Sequence, residues 1–309
     1  MDKMDKSKIL AAVKSRVKNE TTQNLNLRLP NLIDFKIREK CLYVTIKKQG
    51  VVKNMQENSS AFESWIFALK CYLDFETVVL DWDTNSEGNN VHYNRFLLRV
   101  HFFSKAYHWV GICSSKNEEI EKISRLIEDK RFWINFPKGE SKKEAENKEA
   151  DLERRIMKDW ENLNANDVFN HQLPVGLFRD KISNNNHFTP GRASQIDIWR
   201  ITEDTLQIYE LKHEDNKNIG IISELMYYAN VVYMLLNDNI HYPSLKTNLR
   251  SERDFYDKIQ DKTIKKLEAI FFANKFHPLI MMNKDNILKL LNENSIGVKY
   301  YQQDLPFTD

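Results

Sequence analysis

Gln195-Ile196-Asp197-Ile198-Trp199-Arg200-Ile201-Thr202-Glu203-Asp204-Thr205-Leu206-Gln207-Ile208-Tyr209-Glu210-Leu211-Lys212-His213 is the stretch whose reading decides the fold. Two short runs rich in Ile, Leu, Trp and Tyr flank the polar Thr202-Glu203-Asp204-Thr205. This pattern predicts a β-hairpin with a four-residue turn. Side chains alternate along a strand, so Glu210 and Lys212 share one face and Leu211 takes the other. An acid and a lysine in an apolar strand are costly to bury without partners. Such charges call for a metal, each other, or a substrate.

Hydrolysis of a phosphodiester near neutral pH needs an activated water and neutralisation of the developing oxyanion charge. Mg²⁺ supplies both when carboxylates hold it and leave water positions open. Asp197 and Glu210, on neighbouring strands, are suited to grip such an ion, and the peptide carbonyl of Leu211 is a further candidate ligand. Lys212 would orient the attacking water or stabilise the pentavalent phosphorane. A Glu210–Lys212 salt bridge at a sheet edge is the plainer alternative.

The set Asp197 with Glu210-Leu211-Lys212 resembles the PD-(D/E)XK, or restriction-endonuclease-like, nuclease superfamily. Its core pattern is an Asp near the end of one strand and Glu/Asp-X-Lys in the next. The resemblance implies a Glu on a preceding helix, and Glu153 in Asp151-Leu152-Glu153-Arg154-Arg155-Ile156 fits. It also implies Gln-X-X-X-Tyr on the following helix. Here Glu224-Leu225-Met226-Tyr227-Tyr228 matches at Tyr228 and carries Glu224 for Gln. Residues four apart share a helical face, which would turn Glu224 and Tyr228 toward a substrate backbone. Gly191-Arg192-Ala193 resembles the Gly-rich approach to the metal aspartate. The resemblance covers roughly residues 151–309. It implies an α/β fold of mixed α+β type, with a central mixed sheet flanked by helices. It also implies a Mg²⁺-dependent nuclease, with Mn²⁺ able to substitute, that holds metal on Glu153, Asp197, Glu210 and Leu211. DNA is the implied substrate ahead of RNA, in defence against foreign DNA. The alternative is an inactive nuclease fold serving as a nucleic-acid-binding or protein-interaction module.

The chain has 309 residues, 41% of them hydrophobic and 29% charged, enough for a folded core and for one large or two ordinary domains. No charge-free apolar run reaches about 18 residues, so no membrane span is expected. The start, Met1-Asp2-Lys3-Met4-Asp5-Lys6, has no hydrophobic signal region. Cys41, Cys71 and Cys113 are widely spaced, with neither a disulfide framework nor a zinc pattern, so the expected location is a reducing cytoplasm. There is no P-loop and no Gly-x-Ser-x-Gly, which disfavours nucleotide hydrolysis of that type and an α/β-hydrolase.

The net charge of +2 conceals an asymmetry. Residues 1–150 hold 26 Lys/Arg against 21 Asp/Glu, for +5, while residues 151–309 hold 20 against 23, for −3. Residues 1–53 alone hold 13 against 5, for +8. Basic segments attract phosphate backbones by counterion release. Lys14, Arg16 and Lys18 are therefore candidate substrate contacts, with a solvated helix face as the bland alternative.

The expected organisation is an α+β N-terminal domain over 1–137, a charged linker over 138–150 and the nuclease-like domain over 151–309. Within the first, the spacing predicts a helix over 1–19, a strand at Leu42–Ile46, and a helix capped by Asn58-Ser59-Ser60 and running to Leu73. A short strand follows at Thr77–Leu80, then one or two strands over Tyr93–Val110 and a helix over Asn117–Asp129. Aromatic residues near 62–75 and 93–110 read as core. The second domain is expected to run helix 146–163, hairpin, helix 219–236, a helical middle to Leu249–Lys262, strand Glu268–Ala273, helix Lys284–Asn292 and strand Gly297–Gln302. Cutting both strands of a duplex needs two sites, so a homodimer is expected.

Overall fold

A computed structural model of the protein describes residues 4–20, 26–85, 90–135, 148–163, 167–191, 194–213, 218–244 and 250–306. In chain order the elements begin with α1 (Lys6–Glu20), β1 (Ile33–Arg38), β2 (Cys41–Ile46), α2 (Lys48–Val51), α3 (Phe62–Tyr72) and β3 (Thr77–Trp82). There follow α4 (Val91–Ala106), β4 (Val110–Ile112), α5 (Asn117–Glu128), β5 (Phe132–Ile134), α6 (Lys148–Leu163), β6 (Val168–Pro174) and β7 (Leu177–Arg179). The chain continues through β8 (Gln195–Thr202), β9 (Thr205–Leu211), α7 (Ile221–Leu236), β10 (Ile240–His241) and α8 (Arg250–Gln260). It closes with β11 (Lys266–Phe272), α9 (Pro278–Met281), α10 (Lys284–Asn292) and β12 (Lys299–Gln303). The fold is mixed α/β. Among the described residues no helix is long and apolar enough to cross a membrane.

Two compact units result, and neither is one continuous piece of chain. The first gathers Met1–Ser124, Lys217–Glu224 and Phe276–Ile296; the second gathers Arg125–Asn216, Leu225–Lys275 and Gly297–Asp309. Segments 217–224 and 276–296 therefore fold with the N-terminal residues, whereas a linear division would assign them to the C-terminal half. Of the expected linker at 138–150, residues 138–147 lie outside the described residues, and 148–150 open α6.

The first unit is built on a four-stranded sheet in the order β1-β2-β3-β4. β1 and β2 form an antiparallel hairpin, and β2–β3 and β3–β4 are parallel. The hairpin turns on two residues, Glu39 and Lys40, both at positive φ (48° and 62°). That is the turn geometry whose twist suits a tight hairpin, here without the usual Asn-Gly. One sheet face is buried through Ile33, Phe35, Ile37, Leu42, Val44, Ile46, Val78, Leu80 and Trp82. α1 packs along β1 and α3 through Ile9, Val13 and Val17.

Residues Tyr93–Val110 correct the expectation of strands: most of them form α4. The aromatic content that favours strands in isolation also fits helical spacing. Tyr93, Phe96, Val100, Phe103 and Tyr107 recur every three or four residues and are all buried. Asn90 caps the helix by accepting hydrogen bonds from the N–H groups of His92 and Tyr93 at 3.0 and 3.1 Å. Phe62, Phe67, Phe96, Phe103, Tyr107 and Trp109 form an aromatic core of edge-to-face and tilted pairs, with centroids 5.2–6.0 Å apart.

The cap of α3 also differs from expectation. Its N-cap is Ala61, with no side-chain cap. The Ser60 hydroxyl instead accepts from Arg99 Nη1 at 3.4 Å, and the Asn58 carboxamide accepts from the N–H of Ile219 at 3.1 Å. Arg99 and Glu63, each about 2% exposed, form a buried ion pair. Arg99 Nε donates to Glu63 Oε1 at 2.8 Å, Nη2 donates to Glu63 Oε2, and Nη2 also donates to the Ser60 carbonyl at 2.8 Å. The Ser223 hydroxyl donates to Glu63 Oε2 at 2.8 Å, and the guanidinium lies 4.8 Å over the Phe62 ring.

The second unit holds a five-stranded sheet in the order β12-β11-β9-β8-β6 and a small sheet β10-β5-β7. β6, β8 and β9 form an antiparallel meander, and β9, β11 and β12 run parallel. The hairpin is tighter than a four-residue turn. Thr202 pairs with Thr205, and the chain reverses through Glu203-Asp204 with Glu203 at φ 52°. α6 covers one face through Leu152 and Ile156 packed with Ile198, Tyr209, Leu211, Ile270 and Phe272. The other face meets α8, where Phe255 lies 4.7 Å from Trp199 ring to ring and Ser251 accepts from Asn170 at 3.0 Å.

Candidate active site

The site begins where the β8–β9 ladder ends. The last paired residues are Ile198 and Tyr209. Asp197 precedes the one and Glu210 follows the other, so the two carboxylates leave the ladder opposite each other on the face turned away from α6. Asp197 Oδ2 accepts a hydrogen bond from the Leu211 N–H at 2.7 Å, which fixes this carboxylate to the neighbouring strand. Leu211 itself is buried in the opposite face with Phe272.

Glu210 is about 1% exposed and Lys212 about 7%. The Lys212 ammonium donates to Glu210 Oε1, and the Lys212 N–H donates to the Phe272 carbonyl at 3.3 Å. Strand alternation thus produces what the pattern predicts: acid and lysine on one face, Leu211 on the other. Burial of a carboxylate is tolerated because a cation compensates it. Asp197, Glu210 and Lys212 together sum to one negative charge on a largely buried face.

Glu153 sits elsewhere. It is buried on α6, and its Oε1 is hydrogen-bonded to Nδ1 of His171 on β6. His171 pairs with Ile198 in the sheet, so its side chain belongs to the α6 face. Sequence reading missed His171 because β6 itself was missed; Val168-Phe169-Asn170-His171-Gln172-Leu173-Pro174 has too weak an alternation to announce a strand. Among the described residues no group of three or more His, Cys, Asp or Glu is placed to hold a metal. The carboxylates that this sheet face brings to neighbouring strands are Asp197 and Glu210. A pair of carboxylates is within what Mg²⁺ accepts, since it takes one or two and keeps several waters.

Glu224 is buried in the first unit, where the Gln56 carboxamide donates to its Oε1. Gly220 lies so close to Gln56 that a Cβ there would overlap the Gln56 backbone. Tyr228 is buried in the second unit, with its ring 6.0 Å from that of Tyr227. Lys14 is half-buried on α1, while Arg16 and Lys18 are exposed. The approach to β8 has a steric reason for glycine. A Cβ on Gly176 would overlap the Gly191 backbone, and one on Gly191 would overlap the His187 ring. Arg192 and Ala193 lie outside the described residues.

No protein-family model matches this chain, and neither a curated protein nor a solved structure matches it.

Proposed function

We propose that the second unit is a Mg²⁺-dependent nuclease of the PD-(D/E)XK type that cleaves DNA. The observation that carries the reading is the convergence of Asp197, Glu210 and Lys212 on one sheet face, with Asp197 tied to the Leu211 N–H. The order helix, three antiparallel strands, helices and parallel strand also supports it. Mg²⁺, when bound, lowers the pKa of a coordinated water and neutralises charge on the phosphate. Asp197 and Glu210 would hold it, with the Leu211 carbonyl as a third oxygen. Asp197, fixed by its backbone bond, keeps the carboxylate orientation constant through the reaction. Lys212, a compact ammonium, would orient the attacking water and stabilise oxygen charge as the leaving group departs. Glu153, held by His171, acts on this reading through the packing of α6. Cleavage of a duplex by one site per chain calls for two copies acting together.

A second reading is an inactive member that binds nucleic acid or another protein. What favours it is that Lys212 already pairs with Glu210, and Glu153 with His171. Incubation of the protein with plasmid, linear duplex, single-stranded DNA and RNA, each with Mg²⁺, Mn²⁺ or chelator, separates the two. Metal-dependent DNA cleavage supports the nuclease, and its absence in every arm supports the second reading.

A further inference from the structure

Opposite its core, the first unit's sheet presents a face whose described side chains are exposed or half-buried. Register places Lys36, Tyr43, Val79 and Gly111 in one row across β1, β2, β3 and β4. Lys36 and Gly111 are exposed, Val79 is half-buried, and Tyr43 is 41% exposed, among the most exposed large hydrophobic side chains described. Arg38 lies one step along β1, opposite Cys41 on β2. With strands about 4.8 Å apart, the row spans about 14 Å.

Two features make this more than an uncovered sheet. A Cβ on Gly111 would meet only the Val78 carbonyl, at an ordinary 3.6 Å, so packing does not demand a glycine there; the bare position leaves flat space in the row. The charges are also unevenly committed. Asp34 is ion-paired with Lys6 and Lys47 at 3.6 and 3.3 Å, and Asp81 accepts from the Trp82 N–H at 2.8 Å. Lys36 and Arg38, both exposed, form no ion pair among the described residues. The face therefore offers an aromatic ring with two uncommitted cations beside it. A base stacks on such a ring regardless of sequence, and the cations meet the phosphates on either side.

We propose that this face binds single-stranded nucleic acid, with Tyr43 as the stacking platform and Lys36 and Arg38 as phosphate contacts. The proposal is independent of the nuclease reading, since binding of this kind needs neither metal nor cleavage.

The test uses the full chain in chelator, so that no cutting occurs. Anisotropy is measured with a labelled oligothymidylate of about 15 nucleotides, the matching duplex and the matching oligouridylate. Both single strands should bind more tightly than the duplex. Tyr43→Ala should weaken binding about tenfold, while Tyr43→Phe, which keeps the ring, should bind as the parent does. Lys36→Gln with Arg38→Gln should flatten the plot of log affinity against log salt by about 1.4, two phosphates at about 0.7 each. DNA should also slow maleimide labelling of Cys41, on the same face, and leave Cys71 and Cys113 unchanged. Should Tyr43→Ala fail to fold, Tyr43→Phe and the double variant still decide. Equal binding by Tyr43→Ala, tighter binding of the duplex, or an unchanged salt slope in the double variant would overturn the proposal. So would a Tyr43-dependent dimer in sedimentation with no DNA binding, which would make the face an interface between copies.

Discussion

Both units bury an acid–base pair, and the two are built differently. In the first, Glu63 meets Arg99 through two hydrogen bonds, Ser60 and Ser223 supply further partners, and the guanidinium stacks over Phe62. One carboxylate faces one planar cation, and the charges sum to zero. In the second, Glu210 meets the compact ammonium of Lys212, and a second carboxylate, Asp197, leaves the neighbouring strand on the same face. These three side chains are two carboxylates and one cation. A neutral, bidentate and multiply bonded pair is what a core uses to fix its packing. A cluster with an excess carboxylate is what a site uses to attract a cation.

The contrast predicts different responses to substitution. Arg99→Ala should have the largest effect on stability, about 3–5 kcal/mol, because Glu63 would stay buried without its cation. Denaturant midpoints measure this, and Mg²⁺ should not restore the loss. Replacing the pair together by Glu63→Leu and Arg99→Met should recover most of it. A loss under 1 kcal/mol for Arg99→Ala would remove the distinction between the two clusters.

Lys212→Ala should act chiefly on turnover, with a fall of about 10²–10⁴-fold and a smaller change in KM. It leaves Asp197 and Glu210 facing each other, so Mg²⁺ should raise the Tm of this variant more than that of the parent. Lys212→Arg should rescue turnover poorly, since a planar fork does not replace a point charge. A defect confined to substrate affinity would argue against a role in the chemistry.

A smaller effect concerns His277 in the first unit, whose imidazole burial beside Trp65 lowers to about 4. Its folded pKa lies below the unfolded value of about 6.5, so between those values the unfolded chain binds more protons. Its contribution to stability is therefore present above about pH 6.5 and is lost as the pH falls toward 4. His277 also caps α9 by accepting from the Leu279 N–H at 3.3 Å. His277→Asn keeps a capping group and removes the titration, so its stability should fall less than the parent's across that window. Parallel pH curves for the two proteins would show that His277 does not contribute.

Legibility in the sequence followed local periodicity. The hairpin of β8 and β9, the long helix α7, α10, and the Asp197–Glu210–Lys212 face were readable because alternation and helical spacing are local. The helix α4 was misread because its aromatic residues satisfy both strand propensity and a helical stripe, and the cap at Asn90 precedes a stretch that looked like strand. The turns at Glu39-Lys40 and Glu203-Asp204 lacked the glycine or asparagine that normally marks positive φ. The return of 217–224 and 276–296 to the first unit was invisible because it rests on long-range bonds such as Ser223 to Glu63 and Asn58 to Ile219. The partnership of Glu153 with His171 depends on β6, whose own signal is weak.

On the nuclease proposal, Asp197 and Glu210 hold the metal that DNA cleavage needs. The most direct test is plasmid cleavage by the parent and by Asp197→Asn, each with Mg²⁺ and with chelator, after both are shown to have the same Tm. The parent should cleave in Mg²⁺ and not in chelator, and Asp197→Asn should cleave under neither condition. Cleavage by Asp197→Asn at the parental rate, or a parent inert with both Mg²⁺ and Mn²⁺, would contradict it.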